Sequence, residues 1–267
     1  MKRVDIVNAI YNAYDEDARL TKSRNGQLES ITTMRYIHAL LPEGAKVLEV
    51  GAGTGRYSVA LAREGYDVSA VELVERNLEK LRENAKGLEN LSATQGDATN
   101  LGAFPDDAFD AVLALGPMYH LYAPEDWNRA LDEAIRVTKP GGLIFTAFLS
   151  VYAILYANYL SGNFREGLAE NFDGDFRVRH FEEQGFTGFD ISEFEALFDG
   201  KPVREIALAG TDSVLELAKR MNGFSLPDEE FEAFVRYHLH TCEIRELLGS
   251  HSHLLHICRK QDGRTNR

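Results

Sequence analysis

Cysteine is scarce in this chain, and so are long hydrophobic runs and clusters of basic residues. The two cysteines, Cys242 and Cys258, form no C-x-x-C pair, which disfavours both a disulfide framework and a thiolate zinc site. Lys and Arg total 29 against 42 Asp and Glu, for a formal net charge of −13. Because this charge repels a phosphate-coated partner, we expect no nucleic-acid partner.

No stretch of the sequence reaches the roughly 18 consecutive apolar residues of a membrane span. The N-terminal stretch MKRVDIVNAIYNAYDEDARL has an apolar run that is too short and too interrupted for a signal peptide. We therefore expect a cytoplasmic protein with no membrane partner. Hydrophobic residues make up 44% of the chain, which is enough for a real core.

The stretch around which the chain is organised is KVLEVGAGTGRYS, from Lys46 to Ser58. A short apolar run carries one acid, Glu49, and is followed by three alternating glycines and a helical pattern. Such a pattern predicts a buried strand, a tight turn and the start of a helix. The glycines allow backbone dihedrals that a Cβ would forbid and let a ligand approach the main chain. A second acid, Glu72, ends the next predicted strand, where nucleotide folds place a ribose-binding carboxylate.

An alternation of strands and helices extends from this stretch to the end of the chain. Apolar periodicity predicts strands at 46–50, 67–72, 91–95, 109–115, 143–148, 203–209 and 253–259. Helical patterns precede the first strand and separate the next ones, and the turn Lys139-Pro140-Gly141-Gly142 is predicted to stop a helix before the fifth strand. Two further helices are predicted at about 211–222 and 227–247. Strands buried on both faces and separated by helices predict an α/β fold with a parallel, doubly wound sheet.

The glycine spacing separates two kinds of nucleotide site. In the dinucleotide pattern G-x-G-x-x-G the third glycine would fall at Arg56, which is too large for close packing of strand and helix. The sequence E-x-G-x-G-x-G instead resembles motif I of the class I S-adenosylmethionine-dependent methyltransferases, and Glu72, Asp97 and the turn before strand 5 follow in the family's order. This resemblance implies a mostly parallel, seven-stranded Rossmann-like sheet whose last strand is antiparallel and lies beside strand 6.

The resemblance also implies the cofactor, S-adenosyl-L-methionine, with S-adenosyl-L-homocysteine as its product. In this family the glycine loop holds the methionine part, Glu72 takes the ribose hydroxyls, and Asp97 with Ala98 reads the adenine edge. Glu49 orients the loop or meets the methionine ammonium. The cofactor-binding residues implied are Glu49, Gly51, Ala52, Gly53, Gly55, Glu72, Leu73, Asp97, Ala98 and Leu115, with Tyr14 and Arg19 as candidate contacts from a helical lid.

The candidate catalytic residues lie just after strand 4, in Gly116-Pro117-Met118-Tyr119-His120. His120 could act as a general base with a pKa near neutrality, although a loop histidine is more often a hydrogen-bonding or packing residue. Tyr119 could orient the nucleophile or pack against the cofactor. The other histidines cluster near the end of the chain, at His238, His240, His251, His253 and His256. We interpret them as structural or surface residues and expect no metal site.

Four segments are expected along the chain: an N-terminal helical lid (1–44), the cofactor-binding core (45–150), a substrate cap (151–200) and the end of the core (201–267). The cap carries FDGDFRVRHFEEQGFTGFD, whose alternation and glycines predict a β-hairpin or an irregular lid. An insertion after strand 5 lies above the carboxyl ends of the strands, where α/β sheets bind ligands.

The function expected from the resemblance is methyl transfer to an O, N, S or C nucleophile of a small molecule, by in-line displacement without a metal. A monomer or homodimer is expected. Three alternatives remain open: a protein or peptide methyltransferase, which would need a wide groove; an NAD(P)-dependent oxidoreductase, opposed by Arg56; and a non-catalytic protein that binds S-adenosylmethionine. The acceptor and its reacting atom are not fixed by the sequence.

Overall fold

The computed structural model describes residues 3–13 and 16–262, and its centre is a mixed sheet. Seven strands are found in this described part: β1 Lys46–Val50, β2 Asp67–Glu72, β3 Leu91–Gln95, β4 Phe109–Ala114, β5 Thr138–Leu149, β6 Val203–Gly210 and β7 His253–Lys260. Their order is β3-β2-β1-β4-β5-β7-β6. Strands β1 to β5 pair in parallel, and β7 is antiparallel to both β5 and β6. The predicted α/β fold and the antiparallel last strand are confirmed.

Helices cover both faces of this sheet, and a helix also begins the described chain. They are α1 Arg3–Ala13, α2 Arg19–Lys22, α3 Arg24–Leu40, α4 Arg56–Arg63, α5 Glu75–Asn84, α6 Pro124–Val137, α7 Val151–Tyr159, α8 Phe164–Asn171, α9 Ile191–Ala196, α10 Leu215–Ala218, α11 Asp228–Thr241 and α12 Arg245–Leu248. Short 3₁₀ turns lie at Glu16–Ala18, Pro117–His120 and Glu182–Gln184. Not one of these helices is both long enough and apolar enough to span a membrane.

The central strands are buried because helices pack on both of their faces. In β1 every residue after Lys46 is buried, and Leu48 and Val47 belong to clusters on opposite faces of the sheet. Helix α6 presents a buried stripe that includes Trp127 and Leu131, as its apolar spacing predicts. The carboxyl ends of β1, β2 and β4 therefore meet at one edge of a rigid core, which is where this topology places a ligand.

The N-terminal helices depart from the prediction at the polar segment TKSRNGQ. The break is confined to Ser23, whose extended backbone ends α2 and whose side chain accepts a hydrogen bond from Gly26 N at the start of α3. A Cβ at Gly26 would lie 2.3 Å from the Arg19 carbonyl oxygen. Glycine at this position therefore lets α2 pack directly against α3.

The turn Lys139-Pro140-Gly141-Gly142 does not lie between the sixth helix and the fifth strand. Helix α6 ends at Val137, and β5 already begins at Thr138, which pairs with Phe109. The register then shifts between Phe109 and Ala111. The predicted stop signal is therefore an irregular part of a longer strand, since Gly141 takes a positive φ of 77° inside it.

Residues 151–200 are more helical than the sequence predicts. They contain α7, α8 and α9, and an isolated bridge between Phe172 and Val178 is the only trace of a hairpin in this described segment. Ser150 caps α7 by accepting a hydrogen bond from Ala153 N. The predicted C-terminal helices are also shorter, because 211–222 reduces to α10 and 227–247 is divided into α11 and α12.

Candidate active site

A cavity of about 840 Å³ lies over the carboxyl ends of the strands. This volume falls within the range of small-molecule sites. Its floor is the loop after β1 and the turn after β4, and its walls come from α1, α2, α3 and residues 149–186. Most of the residues that the sequence singles out line this cavity: Glu49, Gly51, Ala52, Gly53, Glu72, Leu73, Asp97, Ala98, Leu115, Tyr119 and His120. Tyr14 lies outside the described residues.

The loop after β1 takes a conformation that only glycine accepts easily. Gly51, Gly53 and Gly55 have φ values of 71°, 57° and 83°, in the left-handed region where a Cβ is strained. A Cβ at Gly51 would lie 2.9 Å from the Pro117 ring, and one at Gly55 would lie 2.7 Å from the Leu81 side chain. The alternating glycines therefore have two separate causes, backbone dihedral and lack of space. Gly55 packs behind the loop, while the other two line the cavity.

Glu49 is buried beneath the loop and is 2% exposed. Its Oε2 accepts a hydrogen bond from the Ser58 backbone N–H at 2.8 Å and another from the Ser58 hydroxyl. Burial raises the pKa of this carboxyl from 4.5 to about 8, although the bonds from Ser58 oppose the rise. Of the two predicted roles, the contacts place Glu49 as the anchor of the first turn of α4. The contact with a methionine ammonium stays a prediction.

Glu72 joins two segments at the end of β2. Its Oε2 accepts from Gly53 N at 2.7 Å, and its Oε1 accepts from Val74 N at 2.8 Å. Burial raises its pKa, and these backbone bonds oppose the rise. The Asn77 side chain donates a further hydrogen bond to Glu72. A carboxylate has about four acceptor positions, so these three bonds leave limited capacity for a hydroxyl donor from the cavity. The geometry fits the predicted ribose contact.

Asp97 follows β3 and faces the first helix. Its Oδ1 accepts from the Thr99 backbone N–H and hydroxyl, at 3.0 and 2.9 Å. Its Oδ2 forms an ion pair with Arg3 of α1. Arg3 also lines the cavity and was missed by sequence reasoning, since nothing in the first helix marks it out. The predicted adenine contact of Asp97 and Ala98 would therefore be made beside this ion pair.

His120 is buried, with both ring nitrogens engaged. Its Nδ1 lies 2.8 Å from the Gly185 carbonyl oxygen and its Nε2 lies 2.9 Å from the Tyr11 hydroxyl. Because a carbonyl only accepts, Nδ1 carries the proton and Nε2 accepts from Tyr11. Burial lowers the pKa of His120 from 6.5 to about 4. The expected pKa near neutrality is wrong, because the site removes water from the ring without supplying a carboxylate.

Tyr119 is buried next to His120, and its ring lines the cavity. Its hydroxyl has no hydrogen-bond partner among the residues that the structure describes. Burial raises the pKa of this phenol well above 10, so it stays protonated and can donate. A buried hydroxyl without a partner is costly, and a ligand atom in the cavity is one way to satisfy it.

A charged cluster behind Tyr119 supports the wall of the cavity. Arg19 of α2 donates to both oxygens of Glu29 at 2.7 and 3.0 Å, and to Glu16 at 3.0 Å. Glu29 is 6% exposed; burial opposes its ionisation, but Arg19 outweighs burial and lowers its pKa. Arg19 was predicted as a lid contact and does line the cavity. The two carboxylates were missed, because they lie in helices with no motif.

The C-terminal histidines have different environments. His253, at the start of β7, lines the cavity and bonds through Nδ1 to Asp212 Oδ2 at 2.8 Å. His238 and His251 are buried next to one another, His256 bonds to Glu205, and His240 is exposed. No group of three potential metal ligands was found within residues 3–13 and 16–262. Four of these histidines are structural or surface residues as predicted, but His253 belongs to the site.

The sequence of this chain is similar to that of known methyltransferases. A family model described as a methyltransferase domain matches residues 47–142. The demethylmenaquinone methyltransferase of Staphylococcus aureus (strain JH9) is 30% identical over 178 residues, which cover 57% of this chain and 72% of that protein. The chain belongs to the class I S-adenosylmethionine-dependent methyltransferases.

Other methyltransferases are similar to this chain in sequence over part of their length, or in fold. The demethylmenaquinone methyltransferase of Clavibacter sepedonicus is 36% identical over 135 residues, which cover 51% of this chain and 53% of that protein. The chain thus spans about half the length of the first curated relatives it matches. A Thermotoga maritima structure described as a possible histamine N-methyltransferase superposes with a TM-score of 0.59 at 18% identity, covering 98% of this chain and 100% of that one. That likeness shows the shared fold.

The residues of this site fit the cofactor that the family uses. Gly51 and Gly53 line the cavity without a side chain, so a ligand can approach the main chain of the loop. Glu72 keeps acceptor capacity toward the cavity. Tyr119 presents an unpartnered hydroxyl within the described structure. Each of these observations suits a ligand that carries hydroxyl and ammonium donors along the loop and a reacting group near the end of β4.

Proposed function

We propose that this protein transfers a methyl group from S-adenosylmethionine to a small-molecule acceptor bound in the same cavity. The observation that carries the proposal is the continuity of the cavity. The glycine loop, Glu72, Tyr119 and His253 all line this one cavity. A volume of about 840 Å³ leaves room for an acceptor beside a cofactor at the loop.

The cofactor half of the cavity would be held by residues already described. Gly51 and Gly53 admit the methionine part, and Glu72 accepts from the ribose hydroxyls. Asp97 and Ala98 border the adenine end, with Leu73 and Leu115 as apolar neighbours. Glu49 also lines the cavity, and an ammonium group bound beside it would lower its raised pKa. When bound, S-adenosylmethionine supplies a methyl group activated on a sulfonium.

The acceptor half has a different chemical character. Six aromatic and aliphatic side chains contribute to its lining, Tyr119, Leu149, Ile154, Tyr159, Phe181 and Phe186, beside charged ones such as Glu170, Lys219 and Arg220. Flat aromatic surfaces favour a planar acceptor, and the charged groups suit one that carries polar substituents. Relatives of this chain are named for demethylmenaquinone methylation and for O-methylation in ubiquinone biosynthesis. We therefore propose a ring-bearing acceptor of the phenol or quinol type.

A protein or peptide acceptor is disfavoured by the cover of the cavity. Helix α1 meets the turn after β4 through the hydrogen bond from Tyr11 to His120, and that turn meets residues 182–186 through His120 and Gly185. These two contacts hold α1 and residues 182–186 together across the turn after β4, and a polypeptide acceptor would need them to separate. A non-catalytic protein that binds S-adenosylmethionine would be favoured if side chains filled the space beside Tyr119 and left no room for an acceptor. Tyr119 instead lines the cavity.

Calorimetric titration tests the cofactor part of the proposal. We expect S-adenosylmethionine and S-adenosylhomocysteine to bind and NAD to leave the heat signal unchanged. Glu72→Gln should weaken the binding of S-adenosylhomocysteine by about 1–3 kcal/mol, roughly 5- to 150-fold in affinity. The reason is that the amide presents a donor where the loop and the ribose need an acceptor. Glu79→Gln, an exposed position on α5, is the matched control and should bind like the wild type.

Turnover tests the acceptor part separately. The wild type is incubated with S-adenosylmethionine and either catechol, 1,4-dihydroxy-2-naphthoate or histamine, and formation of S-adenosylhomocysteine is measured. We expect turnover with the two hydroxylated rings and none with the amine. Methylation of histamine alone would contradict the proposed acceptor class, and binding of NAD in place of S-adenosylhomocysteine would contradict the cofactor.

A further inference from the structure

The first strand residue of β7 forms an ordered pair with a buried acid. His253 pairs with Leu149 at the carboxyl end of β5, so its side chain is held by the sheet at the edge of the cavity. Its Nδ1 lies 2.8 Å from Asp212 Oδ2. Asp212 is fully buried, and its Oδ1 accepts from Ser252 N and His253 N at 2.9 and 3.2 Å. These backbone bonds hold the Asp212 side chain in place beside the ring.

The partner of Nδ1 decides the protonation of the other nitrogen. A carboxylate acceptor keeps the proton on Nδ1, so Nε2 of the neutral ring carries the lone pair. Within residues 3–13 and 16–262, Nε2 has no hydrogen-bond partner, and the ring lines the cavity. The Tyr119 ring lies edge-on to it, with centroids 5.9 Å apart. The site thus contains one basic ring nitrogen available to a ligand and one phenol that can donate.

His120 offers the opposite arrangement, although it lies closer to the end of β4. Its Nε2 already accepts from Tyr11, and its Nδ1 already donates to the Gly185 carbonyl. No carboxylate of the residues that the structure describes bonds to this ring. His120 therefore connects the lid elements, and the same geometry leaves it without a nitrogen for a substrate proton.

We propose that the Asp212–His253 pair is the general base of the reaction and that the acceptor is a hydroxyl compound, a phenol or enol, whose proton must leave. This inference rests on the proposed function. The O–H bond of the acceptor breaks and its proton goes to Nε2 of His253. The oxygen electron pair forms the new O–C bond to the methyl carbon while the C–S bond breaks and its pair stays on sulfur. The imidazolium, held by Asp212, then returns the proton to water.

Charged groups from several elements face His253 and set its proton affinity. They are Asp212 after β6, Glu29 of α3, Arg19 of α2 and Glu16 of the preceding turn, with the phenol of Tyr119 beside the ring. Burial lowers the pKa of His253, but the two acids Glu29 and Asp212 outweigh burial and raise it above 6.5. The basic form therefore gains population as the pH rises above the usual range of a histidine, and so should the rate.

An absorbance titration tests the base without any turnover. Full-length protein with S-adenosylhomocysteine is titrated with 4-nitrocatechol, whose ionised form has a distinct visible absorption. We expect the bound catechol to ionise at a lower pH than in free solution. His253→Gln and Asp212→Asn should abolish this shift, while His240→Gln, an exposed histidine on α11, should keep it. A shift that survives His253→Gln overturns the inference, as does a catechol that does not bind to the wild type.

Turnover with two acceptors separates a base from a merely structural residue. Catechol must lose a proton, whereas 4-nitrothiophenol is already ionised at neutral pH. His253→Gln should lower catechol turnover by about 10²- to 10⁴-fold and leave thiol turnover within a few-fold. Asp212→Asn should lower kcat for catechol and move the rising limb of its pH profile to lower pH. Equal losses on both acceptors would assign His253 to binding or folding and overturn the base.

A failure of this inference can be told apart from a failure of the proposed function. Calorimetry with S-adenosylhomocysteine is run on the wild type, His253→Gln and Asp212→Asn. Retained binding by all three, with unchanged circular dichroism, shows an intact cofactor site. In that case loss of the catechol effects overturns the base alone. Absence of binding by the wild type would instead overturn the proposed function.

Discussion

Glu49 should give the protein a specific dependence of stability on pH. It is buried beneath the glycine loop, and its carboxyl pKa is raised from 4.5 to about 8. Glu49→Gln replaces it with a neutral side chain of the same shape. The amide oxygen can still accept the bonds that Ser58 donates, so the substitution removes the titration and keeps the contacts.

The magnitude follows from the two pKa values. A carboxyl that holds its proton more tightly in the folded state contributes stability that is complete below about pH 4.5 and is lost as the pH rises toward about 8. At about 1.4 kcal/mol for each tenfold difference in proton affinity, the loss amounts to about 5 kcal/mol. That is comparable to the total stability of a small domain. Glu49→Gln has no such titration and should therefore keep this stability at alkaline pH.

Urea denaturation of both proteins between about pH 5 and pH 9 measures this difference. We expect Glu49→Gln to match the wild type at the acidic end and to exceed its free energy of unfolding by several kcal/mol at the alkaline end. Glu79→Gln on the exposed face of α5 controls for a general effect of removing one negative charge. A difference between wild type and Glu49→Gln that stays constant with pH would refute the reasoning.

Two further substitutions test the loop and the charged cluster. Gly51→Ala and Gly44→Ala share a positive φ, 71° and 72°, but only Gly51 lacks space for a Cβ. Gly44→Ala should lose about 1–2 kcal/mol of stability, and Gly51→Ala should lose more, because its Cβ also clashes with the Pro117 ring. Only Gly51→Ala should also lose S-adenosylhomocysteine affinity in calorimetry. Arg19→Met should destabilise the fold by about 3–5 kcal/mol because it leaves Glu29 buried without its partner. Adding Glu29→Leu should recover most of that loss in urea denaturation, and an additive double variant would contradict the coupling.

The sheet could be predicted from the sequence because its signals are local. Strands β1, β2 and β3 have the predicted bounds. The first two are short runs rich in valine and bordered by a glycine or a charged residue, whereas β3 is a weaker signal with no buried residue. The aromatic segment VYAILYANY at the start of the predicted cap gave no period that could separate strand from helix. Its helix, α7, depends on the Ser150 cap and on burial of Val151 and Leu155 against Phe172, which are tertiary facts.

The cofactor half of the site was equally visible, and the acceptor half was not. Glu49 and the loop glycines are neighbours in sequence, so a motif can display them. The pairing of Asp212 with His253 joins positions 41 residues apart and depends on β6 and β7 lying side by side. The environment of His120 depends on Gly185, 65 residues away. Neither distance leaves a pattern in a single sequence.

Helix α1 shows why the two halves of the cavity should respond to one another. Arg3 and Tyr11 are eight residues apart, close to two helical turns, and so they lie on the same face. Arg3 pairs with Asp97 at the cofactor half, while Tyr11 bonds to His120 at the acceptor half. Val7, between them on that face, is buried and lines the cavity. A ligand that displaces either polar contact must therefore move or strain the helix that holds the other, so binding in the two halves is coupled through α1.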